Sequence, residues 1–279
     1  MPFRRAFVYR LFLPCLGAAM LAAGLSQWAP ASAAATFTPH RAVYELSLGK
    51  SRANGSISRA QGKLEFEWAD VCTGWTVSQR TLVQLVSNEG QVIDFGWTLN
   101  ALESKDGTYY RFFIRRLNTG GAPENQRGEA RLKAPGQGGT ATYSEPMERE
   151  VKLPKGTLFP TAHSLLLLNT AESGGFPVWR QVFDGSGEEG GLYGINAAMS
   201  SALKPEKHQR LDSPLLQDKK SWRLHLAYFG ADENVSVPEH EQIFRIYANG
   251  IVDELLLDYG DFTLRADLLT LDALPAPQC

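Results

Sequence analysis

Two cysteines separated by most of the chain are the residues in this sequence whose chemistry is clearest. Cys72 lies in the stretch DVCTGW, and Cys279 is the last residue, directly after LPAPQ. In an oxidising compartment such a pair forms one disulfide, whereas cytosolic thiols stay reduced. The alternatives are a redox pair or two free thiols, but the sequence has no C-x-x-C motif and no nearby Lys or His to lower the pKa of Cys72. We expect a structural disulfide that ties the C-terminal tail to the first quarter of the chain.

The N-terminal sequence predicts export, which supplies that oxidising compartment. Three arginines precede or begin an apolar stretch over residues 11–25, and Ala31-Ser32-Ala33 fits the A-x-A cleavage rule. A retained membrane anchor is the alternative, but the apolar stretch is short for a bilayer. We therefore predict a cleaved signal peptide over residues 1–33, a single domain over residues 34–279 and a periplasmic location.

Composition and charge exclude some partners. Losing the signal peptide removes three arginines and no acid, so the formal net charge moves from −2 to −5. This mildly acidic balance and the export signal argue against a nucleic-acid partner. No second long apolar run follows, so we expect a water-soluble mature chain.

One motif resembles a phosphate-binding loop. The segment GSGEEG, residues 185–190, matches G-x-G-x-x-G and follows the strand-like PVWRQVFD. A dinucleotide site requires a helix directly after this loop, but the glycine-broken and strand-like GLYGINAAMS follows instead. Glu188 and Glu189 would also repel phosphate. We interpret this loop as an acidic hairpin turn and predict no cofactor.

The remaining polar residues show no catalytic or metal-binding pattern. The five histidines are His40, His163, His208, His225 and His240. They occur at no metal-ligand spacing, and the chain has no G-x-S-x-G elbow. A dispersed Ser-His-Asp triad stays open as an alternative, because its members need not be neighbours in sequence. We predict neither a metal site nor catalytic residues.

The main body of the sequence predicts antiparallel β-structure. KLEFEW alternates strictly, with Leu64, Phe66 and Trp68 on one face, which is typical of a half-buried strand. About a dozen such runs follow each other, and Asn54-Gly55, Asp106-Gly107 and Asn249-Gly250 supply hairpin turns between them. Because no helices alternate with these strands, we expect an antiparallel barrel, sandwich or curled sheet.

Charged residues on two of these strands suggest exposed faces. YYRFFIRRL, residues 109–117, is most simply a strand with one packed face, and a surface for anionic lipid headgroups or an acidic partner is the alternative. Asp253, Glu254 and Asp258 flank the leucines of DELLLDY, and we interpret them as a solvated face.

One segment predicts a helix. In TLFPTAHSLLLLNTAESGG, Pro160 suits the first turn and Gly174-Gly175 suits the end. Leu165, Leu166, Leu167 and Leu168 make this helix apolar around much of its circumference, so it must be buried on more than one side. It either fills the cavity of a curled sheet or covers one end of a sandwich. The Gly-, Pro- and charge-rich segments 118–139 and 201–220 are expected to project as loops.

The order of several motifs resembles a known family. PHRAVYELSL, DVCTGW and the ending FRIYANGIVDELLLDYGDF…LPAPQC together are similar to the cell envelope integrity protein B family of Gram-negative periplasmic proteins. The resemblance covers about residues 37–279. It implies a β-spiral, an open barrel-like curled sheet similar to periplasmic lipoprotein carriers, with a disulfide between Cys72 and Cys279. It also implies support of envelope integrity, a periplasmic tetratricopeptide-repeat partner and no catalytic residues.

Two functions from different classes follow. The predicted function is that of a non-enzymatic, disulfide-clasped adaptor that docks a protein partner through exposed loops or an open sheet edge. The alternative is a carrier or sensor that holds a lipid or lipopeptide in the concave face of the sheet, with peripheral membrane contact. A carrier should have a ligand-sized apolar cavity, whereas an adaptor should have a filled interior and an exposed docking face.

Overall fold

The computed structural model describes residues 37–52, 55–187, 190–204, 211–230 and 236–279. All of these residues belong to one compact unit. The predicted signal peptide lies outside the described residues, as do Asn54, His208 and both glutamates of the acidic hairpin.

Fourteen strands and one helix make up the described structure. In chain order they are β1 (His40–Ser51), β2 (Ile57–Asp70), β3 (Gly74–Ser87), β4 (Val92–Ser104), β5 (Tyr109–Asn118), β6 (Glu124–Leu132), β7 (Gly139–Glu145), β8 (Arg149–Leu153), α1 (Pro160–Ser173), β9 (Val178–Phe183), β10 (Leu192–Met199), β11 (Ser221–Phe229), β12 (His240–Tyr247), β13 (Val252–Asp258) and β14 (Phe262–Ala273).

The strands form a single antiparallel sheet that curls until it nearly closes. Its order is β8-β7-β6-β5-β4-β3-β2-β1-β14-β13-β12-β11-β10-β9. The first and last strands therefore pair at its centre, and β8 and β9 are its edges. The segment that carries α1 connects these edges, and Leu158 just before the helix bridges to Val182 of β9. The predicted mainly-β, open barrel-like curled sheet with one helix is confirmed.

Period-two alternation determines which side chains face the interior. On β2, Leu64 and Trp68 are each only 4% exposed, while Glu65 lies on the outer face. Two of the three predicted tight turns occur where the sequence predicts them, and Asn54 of the third lies outside the described residues. Gly107 (φ +66°) joins β4 to β5, and Gly250 (φ +82°) joins β12 to β13. Both need the positive φ angles that glycine adopts without steric cost.

The two predicted projecting loops are partly wrong. Segment 118–139 contains all of β6. A Cβ at Gly128 would lie 2.7 Å from the ring of Phe112, so this glycine permits close packing within a strand instead of marking a loop. In the second loop, Leu216 is 3% exposed, and Leu211 and Leu215 pack against the same core cluster. Apolar side chains thus hold the described part of this loop on the sheet.

The predicted solvated face on β13 is wrong at Asp253. This carboxylate is 1% exposed and accepts hydrogen bonds from Nε of Arg245 and from the hydroxyl of Tyr247, both at 2.8 Å. Removing this carboxylate from water costs free energy, and its hydrogen bonds with the guanidinium and the hydroxyl offset that cost. The carboxylate therefore joins β12 to β13 at their shared turn.

Helix α1 is capped by a side chain from a distant strand. Pro160 occupies the first turn as predicted, but Phe159, the residue before it, provides no side-chain cap. Instead, the carboxylate of Glu103 on β4 accepts hydrogen bonds from the backbone N–H groups of Thr161 and Ala162, both at 2.7 Å. These donors are among the four that a helix leaves unpaired at its start. At the other end, Gly174 adopts the predicted left-handed stop (φ +76°).

Burial changes the acidity of this capping carboxylate. Glu103 is 3% exposed, and loss of solvation raises its pKa to about 7 although the two N–H groups oppose the shift.

Among the described residues, no helix has the length and apolar character needed to cross a membrane.

We predict that Glu103→Gln flattens the pH dependence of stability. The carboxyl of Glu103 has a pKa of about 7 in the folded protein, above its ordinary value of 4.5. The stabilisation from its bound proton is therefore complete below about pH 4.5 and is lost as the pH rises through 7. Chemical denaturation should show the parent losing up to about 3 kcal/mol over this range.

Glu129→Gln, on the outer face, is the matched control and should keep the parent's slope. Buried Asp184 titrates in the same direction, so a smaller slope should remain in Glu103→Gln. An unchanged slope in Glu103→Gln would show that the capping carboxylate stays ionised throughout this range.

Candidate functional site

The concave face of the sheet lines a half-open cavity of about 360 Å³. Its volume falls within the range of roughly 300–1,000 Å³ that is typical of small-molecule sites. Most of its lining is apolar or aromatic, contributed by the inward positions of β1–β4 and β9–β13 and by α1. The apolar and aromatic lining residues are Phe37, Tyr44, Leu64, Phe66, Trp68, Val77, Leu99, Leu167, Val182, Ile195, Leu224, Leu226, Tyr228, Phe244, Ile246, Val252, Leu255 and Leu257.

An aromatic cluster borders the cavity where the described chain begins. The ring of Phe37 packs edge-on against Trp68 with centroids 4.6 Å apart, and Trp68 stacks on Trp75 at 4.3 Å. A Cβ at Gly250 would lie 1.6 Å from the Phe37 ring, so the β12–β13 turn must carry glycine to admit this ring. The backbone N–H of Thr38 donates to the carbonyl of Asn249 at 2.9 Å and fixes the segment beside that turn.

Few polar side chains line the cavity, and most of them are uncharged. Among the described residues of the lining, none is Lys or Arg, and Asp184 is the one carboxylate. The uncharged polar side chains are His40, Gln79, Thr161, His163, Ser164 and Gln242. This arrangement can solvate the polar end of a neutral ligand while the rest of the wall contacts its apolar part.

His40 presents a hydrogen-bond acceptor on the lining. Its Nδ1 lies 2.8 Å from the carbonyl oxygen of Thr38, and a carbonyl can only accept, so Nδ1 carries the proton. Burial lowers the pKa of His40, which keeps the ring neutral near pH 7. Nε2 is then an unprotonated acceptor, and it has no partner among the described residues.

His163 on α1 also borders the cavity, but its free nitrogen is occluded. The side chain is 4% exposed, and Nε2 has no hydrogen-bond partner among the described atoms. Burial lowers the pKa of His163 to about 4, so this imidazole is neutral as well.

Asp184 places a buried carboxyl group beside this lining. It follows β9, and one of its oxygens accepts the backbone N–H of Ser186 at 2.7 Å. Burial raises the pKa of Asp184 to about 6, so the carboxylate form predominates near neutral pH. It disfavours other anions in the cavity.

The four leucines of α1 have different environments. Leu167 and Leu168 are buried in the cluster formed with β9–β12, whereas Leu165 and Leu166 are only half-buried. Of the four, Leu167 alone contacts the cavity, to which α1 also contributes Pro160, Thr161, His163 and Ser164. The helix forms one wall, and the cavity remains beside it.

The predicted hairpin at GSGEEG and the remaining histidines contribute little to this site. β9 and β10 pair antiparallel on either side of the GSGEEG loop, and β10 is the strand that GLYGINAAMS predicts. His225 contacts Glu241 on the outer face, and His240 stacks on Tyr228 at 4.3 Å. Among the described residues, no group of three or more His, Cys, Asp or Glu side chains could hold a metal ion.

Known proteins share this architecture. The EipB-like family model matches residues 31–275. The chain is 30% identical over 256 residues to cell envelope integrity protein EipB of Brucella abortus (strain 2308), covering 90% of this chain and 89% of that protein. The chain belongs to the EipB-like family.

A solved structure agrees with this assignment. The crystal structure of a beta-barrel-like protein with a domain of unknown function, also from Brucella abortus, superposes with a TM-score of 0.78 at 27% identity. It covers 87% of this chain and 100% of that chain. The resemblance that the sequence motifs indicate is therefore confirmed.

The outer face shared by β5 and β6 is basic and aromatic. Tyr110, Phe112 and Ile114 point inward and are buried, as one packed face requires. On the other face, the guanidinium groups of Arg131 and Arg127 lie over the rings of Tyr109 and Phe113, at 4.4 and 4.6 Å from the ring centroids. These arginines also contact acids, Glu129 and Glu145, which offset part of the positive charge.

The structure joins Cys72 and Cys279 by a disulfide, with Cα atoms 5.8 Å apart. Cys72 lies in the turn between β2 and β3, where its N–H donates to Oδ1 of Asp70. The bridge closes a loop with a sequence separation of 207 and fixes the tail that follows β14. It lies in the turn region and contributes no residue to the cavity lining.

The cavity residues are not apparent from spacing alone. His40, Gln79 and Gln242 lie on strands far apart in sequence, and sheet curvature brings them to one space. The sequence signal that could identify such cavity residues is a polar residue at an inward position of a strand with alternating polarity. The pattern His40-x-Ala42-x-Tyr44 carries it, because Ala42 and Tyr44 face inward.

We predict that Cys72→Ser and Cys279→Ser each lower the free energy of unfolding by about 2–4 kcal/mol, because an uncrosslinked unfolded chain gains entropy. Thermal melts of oxidised protein measure this loss, and the double variant should match the single variants. The parent treated with reductant is the control and should melt with them. Variants that melt like the oxidised parent would show that the bridge contributes no stability.

Proposed function

We propose that this protein supports cell-envelope integrity without catalysing a reaction. Its EipB-like family and its relative in Brucella abortus, which is named a cell envelope integrity protein, support this role. The export signal predicted for residues 1–33 suits a periplasmic location.

Within that role, the protein holds the apolar part of a lipid or lipopeptide inside the curled sheet. The observation that carries this function is the cavity of about 360 Å³ with apolar walls. A filled interior would favour an adaptor alone, but α1 leaves this space open. The wide distribution of the lining over strands and helix suits an enclosed ligand better than a flat docking surface.

A docking role is the second candidate, and one exposed tryptophan favours it. Trp179 lies on the edge strand β9 and is 56% exposed. Tryptophan is enriched among residues that dominate protein interfaces, and an edge strand offers unpaired backbone groups. In this candidate, the partner is the periplasmic tetratricopeptide-repeat protein that the family resemblance implies.

A cavity-blocking substitution tests the first candidate. Val77 lines the cavity on β3, so we predict that Val77→Trp raises the Kd for the fluorescent apolar probe N-phenylnaphthylamine by about tenfold or more. Val92→Trp is the matched control, because Val92 is 46% exposed and lies outside the lining. Thermal melts confirm that both variants fold.

The same variants should be expressed in a strain that lacks the gene and challenged with detergent. The ligand-holding role requires Val92→Trp to restore survival and Val77→Trp to fail. If Val77→Trp restores survival fully while Trp179→Ala does not, docking at the sheet edge replaces ligand holding as the function.

A further inference from the structure

The distribution of charge around the cavity points to a class of ligand. The inference rests on the proposed ligand-holding function and concerns which polar group accompanies the apolar chain. Cations stabilise an anionic lipid head most strongly, but the described residues that line the cavity include neither Lys nor Arg. Asp184 supplies a carboxylate instead, which repels a fatty-acid or phosphate group in a poorly solvated space.

His40 also determines that the ligand must donate the hydrogen bond between them. Its Nδ1–H is committed to the carbonyl of Thr38, so Nε2 is available only as an acceptor. A ligand satisfies it by donating an O–H or N–H, which a carboxylate, a phosphate diester or an ether cannot do. His163 is a weaker anchor because its free Nε2 is occluded.

The surroundings of His40 suit an amphiphile. Its ring lies against the ring of Phe66 with centroids 5.6 Å apart, and Phe66 pairs with Gln79 in the register of β2 and β3. The amide of Gln79 has no side-chain hydrogen bond among the described residues, and it can both donate and accept. An acceptor, an amide and a broad apolar wall thus occur on one face of three adjacent strands.

We propose that the cavity binds a single-chain amphiphile without negative charge, whose hydroxyl, amide or ammonium group donates a hydrogen bond to Nε2 of His40. Alcohols, monoacylglycerols and N-acyl amides belong to this class. The cavity volume lies near the lower end of ligand sites, which suits one chain better than two.

A set of ligands with one chain and different heads tests the proposal. Calorimetric titration of the full mature protein should use decanol, decyl methyl ether, decanoate and decylammonium below their aggregation limits. We expect decanol to bind about tenfold more tightly than the ether, because the ether has no hydrogen-bond donor. We expect decanol to bind more tightly than decanoate by at least the same factor. Tightest binding of decanoate or of the ether would overturn the proposal.

Substitution of the acceptor gives a second measurement. His40→Phe keeps a ring against Phe66 and removes Nε2, so the preference for decanol over the ether should disappear. His240→Phe is the matched control, because His240 also stacks on an aromatic ring but lies outside the lining. It should keep the preference. A preference that survives in a folded His40→Phe variant would assign the donor contact elsewhere and overturn the role of His40.

The outcomes separate this inference from the function on which it rests. If no decyl compound binds, ligand holding itself is wrong. If all four bind equally, ligand holding stands and the head-group inference fails. The ligand series on the parent gives this result without any variant.

Discussion

The fold depends on the hydrogen bonds that pair the first backbone N–H groups of α1 inside the curled sheet. Any helix start leaves backbone N–H groups unpaired, and α1 starts among buried aromatic side chains, where water cannot pair them. Glu103 provides both oxygens of one carboxylate to the N–H groups of Thr161 and Ala162. This bidentate contact joins β4 to α1, while Leu167 and Leu168 pack the same helix against β9–β12. The helix therefore spans the interior between the two halves of the sheet, and the cavity is the space that this position leaves beside it.

Two buried carboxyl groups and several uncharged polar side chains occupy the interior around α1. Because the carboxyl of Glu103 is buried, its pKa rises to about 7, and a second buried carboxyl, that of Asp184, also has a raised pKa. Arg116 partly opposes the effect of burial on the pKa of Asp184, but it does not line the cavity. Arg245 pairs with Asp253 between β12 and β13, and Arg127 and Arg131 stack on aromatic rings outside. The interior thus carries apolar surface and hydrogen-bonding groups, which favours ligands that bring no negative charge.

The sequence predicts much of the fold because its signals are local. Alternation in KLEFEW, turn glycines such as Gly107 and Gly250, and the Pro160–Gly174 limits of the helix each depend on neighbouring residues. The errors share one cause, which is tertiary contact. Gly128 resembles a loop residue until the ring of Phe112 lies against it, and Asp253 resembles a surface acid until Arg245 and Tyr247 pair with it. The helix cap and the cavity lining, including His40, join residues from distant strands, so no local spacing reveals them.

The most direct test of ligand holding is native mass spectrometry of the mature protein, released gently from the envelope without reductant. The account predicts a protein mass two hydrogens below the reduced value, together with an additional lipid-sized mass. Collisional activation should release that mass as a molecule that carries no negative charge. A protein that carries no additional small-molecule mass in any charge state, including when detergent is avoided throughout, would contradict it.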